Sequence, residues 1–89
     1  MAVVSSIIVD ALSRVDLRRL KIPLAVIYER PIDFHYNFVV RIFDANIPTS
    51  VVYLSENLED CRKEIFKMGL QVRIGRSEED HKCIVEIWC

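Results

Sequence analysis

His81 and Cys83 are separated by one residue, so on a strand their side chains share a face. A thiol beside an imidazole is the pairing a Cys–His nucleophile requires, and the same two groups are also zinc ligands. Two ligands are too few for a structural zinc site, and Cys61, Cys89 and His35 add no standard zinc spacing. The plainer reading makes Cys83 ordinary core and His81 a surface residue. Cys61 reads as a small hydrophobe on a helix, and Cys89, as the last residue, as a frayed and accessible thiol. Glu78, Glu79 and Asp80 are consecutive, so water screens them, whereas acid–base catalysis needs carboxylates held in a cleft. Two glycines, Gly69 and Gly75, form neither a dinucleotide fingerprint nor a P-loop. No catalytic residue, metal or cofactor is therefore expected, and the residues point away from an enzyme.

Two segments stand out instead as partner-binding candidates. The connection Pro31–Asn37 concentrates Ile32, Phe34, His35 and Tyr36 where a hairpin loop is ordinarily polar. Either Phe34 and Tyr36 fold back over the core edge, or Phe34, His35 and Tyr36 are a hot spot for a partner. The acidic run Glu78-Glu79-Asp80 is either a solvated turn or a patch that docks where arginines and lysines of a nucleic-acid-handling machine receive phosphates.

These residues must be positioned by a short succession of elements. Val4, Ile7, Ile8, Ala11, Leu12 and Val15 recur at helical steps and predict a helix over 3–15, with a strand over 2–9 as the competing reading because of the β-branched residues. Asp16 caps a short turn through Leu20. Strands are expected at Leu24–Tyr28, Phe38–Phe43 and Ser50–Leu54, with a Pro48-containing turn at Asn46–Thr49. Asn57 caps a helix whose buried stripe is Leu58, Cys61, Ile65 and Met68 and which stops at Gly69. Leu70–Ile74 and Lys82–Trp88 close the chain as strands.

The order α-β-β-β-α-β-β predicts one α+β domain over residues 1–89, a mostly antiparallel sheet of about five strands with two helices on one face. Because the second and last strands carry apolar residues on both faces, the other face is expected to be covered by the N-terminal helix or by another chain, such as a second copy in a homodimer. Val, Ile and Leu supply 29 of 89 residues, which excludes a disordered chain. A net charge of −1 without a basic run argues against direct nucleic-acid binding. No apolar stretch is long enough to span a membrane, no secretory signal is recognisable, and an odd number of cysteines suits a reducing, cytoplasmic setting.

Glu29-Arg30-Pro31, the strand Phe38-Val39-Val40-Arg41, the capped Leu58-Glu59 helix and the ending Ile84-Val85-Glu86-Ile87-Trp88 resemble motifs of short bacterial and phage-type proteins. These are packing and turn motifs, so the resemblance implies no reaction. It implies a setting in which small stand-alone proteins inhibit host machinery, anti-CRISPR proteins among them. The expected function is a non-enzymatic protein-binding module, an inhibitor or regulator of a larger cytosolic complex. The rivals are a homodimeric structural protein and a small thiol enzyme using Cys83 with His81.

Overall fold

The computed structural model describes residues 7–31, 34–75 and 83–89, which run through strands β1 (Ile7–Val9), β2 (Pro23–Glu29), β3 (Phe38–Asp44) and β4 (Ile47–Ser55), helix α1 (Leu58–Met68), and strands β5 (Arg73–Gly75) and β6 (Ile84–Trp88). Short 3-10 turns at Leu12–Arg14 and Leu17–Arg19 lie between β1 and β2. The strands form one six-stranded sheet in the order β1-β4-β3-β2-β6-β5. A sheet-dominated α+β fold is thus present, with one α-helix among the described residues where two were expected and six strands where about five were expected.

The centre follows from local sequence. β2, β3 and β4 are rich in β-branched and aromatic residues and pair as an antiparallel meander, Ile27 opposite Val40 and Val40 opposite Tyr53. Pro48 lies inside β4 rather than in a turn; the turn is at Ala45–Asn46, with Ala45 at φ +56°. A register shift between Arg41 and Phe43 accommodates that proline, and the Thr49 hydroxyl donates to the Ile42 carbonyl at 2.7 Å in the irregular stretch.

The N-terminal segment corrects the helical reading of 3–15. Ile7–Val9 is a strand parallel to β4, Ile7 opposite Val51 and Val9 opposite Tyr53, which agrees with the competing strand reading; residues 3–6 lie outside the described residues. Three successive β-branched side chains favour the extended chain, and the backbone gains a ladder with β4 that a helix would forgo. The apparent helical spacing comes from two different elements. Val9 packs from the strand, Leu12 from the first 3-10 turn and Val15 from its end, while Ile7 and Ile8 each remain 57% exposed. Asp16 does cap the second turn, accepting from the Arg18 N–H at 3.0 Å.

α1 is set by its ends and one stripe. Asn57 accepts from the Glu59 N–H at 2.8 Å, and Gly69 terminates the helix at φ +113°. Cys61, Ile65 and Met68 are buried, with Leu58 packed beside them, against Ala25, Ile27, Val40 and Ile42 of the sheet and Leu12 of the first turn. Because Gly69 adopts a backbone conformation that L side chains avoid, and an added Cβ would lie 3.4 Å from Leu17 Cδ1, Gly69→Ala is expected to cost about 1 kcal/mol. A thermal melt should show a drop of roughly 4–8 °C for a domain of this size. An unchanged melting temperature would mean that the helix ends differently.

Both 3-10 turns and α1 pack on the same sheet face, so the described part of the N-terminal segment does not cover the other one. That opposite face carries Leu24, Val26, Tyr28, Val39, Arg41, Phe43, Val52 and Leu54, with Ile8 and Ile74 exposed towards its edges. Among the described residues no helix is long and apolar enough to cross a membrane.

Candidate functional site

The turn between β2 and β3 is held by its own backbone. Arg30 takes φ +45° and donates its N–H to the Asn37 carbonyl at 3.0 Å, closing the base of the loop. Inside it, the Phe34 N–H donates to the Pro31 carbonyl at 2.9 Å and the Asn37 N–H to the Phe34 carbonyl at 3.3 Å. Phe34 is half-buried, whereas His35 is exposed and Tyr36 is 86% exposed. The fold-back reading therefore fits Phe34 and is corrected for Tyr36, whose ring stands in solvent. The His35 and Tyr36 rings lie side by side, centroids 6.5 Å apart and tilted by 50°. The Tyr36 ring and the His35 imidazole are thus displayed together, with Phe34 half-buried beside them.

The other expected site residues, Glu78, Glu79 and Asp80, lie outside the described residues, as does His81. Cys83 immediately precedes β6 and is partly exposed, and its carbonyl accepts from the Glu29 N–H at 2.6 Å. Cys61 is buried on the sheet-facing side of α1, and burial pushes its thiol up to about 12, so at neutral pH it is a packed thiol and not a nucleophile. Cys89 is not frayed: its N–H and carbonyl both pair with Val72, at 2.9 and 3.1 Å, extending the β5–β6 ladder. Among the described residues no three His, Cys, Asp or Glu side chains converge to hold a metal ion.

The sequence reading missed a cluster around Glu86. This carboxylate lies on the helix-facing side of β6 and is only 6% exposed. Arg62 of α1 grips it with Nε and Nη2 at 3.0 and 2.6 Å, Arg73 reaches it at 3.2 Å, and the Trp88 indole N–H donates to it at 3.2 Å. Arg62 also reaches Glu59. Hydrogen bonding from Arg62, ahead of the contrary effect of burial, holds the Glu86 carboxyl below the usual carboxylate range and keeps Arg62 charged. The signal was present: a lone carboxylate within Ile84-Val85-Glu86-Ile87-Trp88 must find cations if its strand is buried.

A second carboxylate ties the N-terminal turns to the helix. Glu64 accepts from the Leu12 N–H at 3.1 Å, supplying the cap that Ala11 cannot, and pairs with Lys67 at 3.5 Å. Beside those turns, Val9, Val15, Leu20, Ile42 and Val51 line an open apolar hollow of about 460 Å³ edged by Arg14 and Arg19. Arg14 is paired with Asp10 at 3.0 Å, and Arg19 approaches Asp16 at 4.0 Å. Compared with protein-family models, with curated proteins and with solved structures, the chain finds no match.

Proposed function

We propose that this protein is a small protein-binding module that inhibits or regulates a larger cytosolic complex by contact. The observation that carries this reading is Tyr36, an aromatic side chain 86% exposed on a turn whose backbone is pinned by three hydrogen bonds. A large ring held in solvent contributes nothing to the core, and such rings are the anchors around which interfaces are built. An inhibitor acting by occupancy requires such an anchor and no reacting group. The resemblance to phage-type proteins supports a nucleic-acid-handling effector of the host as the target, an anti-CRISPR-type inhibitor being the concrete form. On this reading the acidic run Glu78-Glu79-Asp80 adds charge complementarity to such a target.

Retention of a host protein by the immobilised full-length chain, followed by mass spectrometry, tests the reading. Tyr36→Ala should leave stability within about 0.5 kcal/mol of wild type, since the residue is exposed, while weakening partner retention at least tenfold, about 1.4 kcal/mol. Reversal of Glu78, Glu79 and Asp80 to Lys should add a loss that shrinks with salt. A partner retained equally by Tyr36→Ala and wild type would remove this turn from the interface.

A further inference from the structure

Beside α1, Phe66 and Trp88 floor an open groove of about 320 Å³ banked by Arg62, Lys63 and Lys67. Phe66 is 58% exposed, the one aromatic side chain of α1 and turned away from its buried stripe. The floor is pre-set. The Trp88 indole N–H is fixed on Glu86, and the Arg62 guanidinium is held by Glu86 and Glu59, so little ordering remains to be done on binding. The charges are unevenly spent. Glu86 lies buried beneath, taken up by Arg62, Arg73 and Trp88. Lys67 leans towards Glu64 at 3.5 Å, and Lys63 has no ion-pair partner among the described residues. What an incoming ligand meets is therefore an aromatic floor along a positive bank.

We propose that this groove docks an acidic peptide segment of a partner protein, one that presents an apolar anchor flanked by carboxylates. The anchor lies against the Phe66 and Trp88 rings, and the carboxylates meet Lys63 and Lys67. A single nucleic-acid strand also stacks on aromatic rings beside cations. The peptide is favoured because, among the described residues, the lining cations all come from α1 and the chain as a whole carries −1, too little positive charge to follow a phosphate backbone. The inference rests on the protein-binding reading but uses a surface separate from the Tyr36 turn.

Trp88 is the single tryptophan of the sequence, so its fluorescence reports on the groove directly. The full-length protein is titrated at low salt with a glutamate-rich peptide carrying one central phenylalanine, with the same peptide bearing lysine for glutamate, and with oligothymidylate. The acidic peptide alone should shift Trp88 emission in a saturable manner that salt weakens. Lys63→Glu combined with Lys67→Glu, and Phe66→Ser separately, should each weaken binding about tenfold or more while the protein still melts cooperatively. Lys63→Gln with Lys67→Gln replaces the reversal should that pair disturb the helix. An acidic peptide without effect, a lysine peptide that binds equally, variants that bind like wild type, or a response to oligothymidylate alone would each overturn the proposal. Because the probe is synthetic, that failure leaves the Tyr36 result untouched, and loss of host-protein retention leaves this one untouched.

Discussion

Ile65→Asp is expected to abolish cooperative melting. Ile65 is fully buried, packed from α1 into the cluster that contains Ala25, Ile27, Val40, Ile42 and Leu12. The substitution removes most of a core side chain, about 2–5 kcal/mol, and puts a carboxylate among the apolar side chains of that cluster, which costs more. A domain of this size has roughly 5–10 kcal/mol in total, so the variant should be largely unfolded by circular dichroism at room temperature. Ile65→Val, which keeps the shape and loses one methyl group, should cost about 1 kcal/mol and melt cooperatively. A stable, cooperatively melting Ile65→Asp protein would mean that α1 rests on the sheet through another face.

The second large effect belongs to Glu86. Glu86→Ala leaves Arg62, Arg73 and the Trp88 indole without their shared acceptor. Both arginines are partly exposed and can recover water, so the expected loss is about 2 kcal/mol rather than the larger cost of stranding a buried charge. The loss should read as a lower urea midpoint with an unchanged slope. The same carboxylate sets a pH dependence. Its value in the folded protein is depressed, chiefly by hydrogen bonds from Arg62, so in acid the unfolded chain binds the proton first. Its contribution is therefore complete at neutral pH and is lost as pH falls through the ordinary glutamate range and then through the depressed folded value. Asp16, depressed by Arg18, acts in the same direction, so the diagnostic quantity is the difference between wild type and Glu86→Gln. The variant should lose less stability on acidification than wild type. Parallel curves for the two would show that Glu86 is not held by the arginines.

The Glu86 cluster and the Tyr36 turn separate what short-range sequence conveys from what it leaves open. The turn was legible as unusual because three large apolar side chains and a histidine occupy a loop between Pro31 and Asn37. Which ring points inward was not, since exposure depends on the left-handed Arg30 and the Asn37 carbonyl that closes the loop. The acidic run and His81 were named from their types alone, and they lie outside the described residues.

By itself the sequence determined whatever is governed by neighbours within one turn or one strand. The α1 boundaries follow from the Asn57 cap and the Gly69 stop, and its buried stripe from spacing. The shared faces of Leu24, Val26 and Tyr28, and of Phe38, Val40 and Ile42, follow from the two-residue period of a strand. Only the tertiary structure decided the conformation of Ile7–Val9, because the strand there exists through its parallel ladder with Val51–Tyr53, more than forty residues away. It likewise decided the pairing of Glu86 with Arg62 and the capping of Leu12 by Glu64, contacts between residues 24 and 52 positions apart. The physical reason is common to all three. Hydrogen-bonding groups satisfied by distant partners leave no periodic mark near their own positions, whereas caps, stops and apolar periods are read where they act.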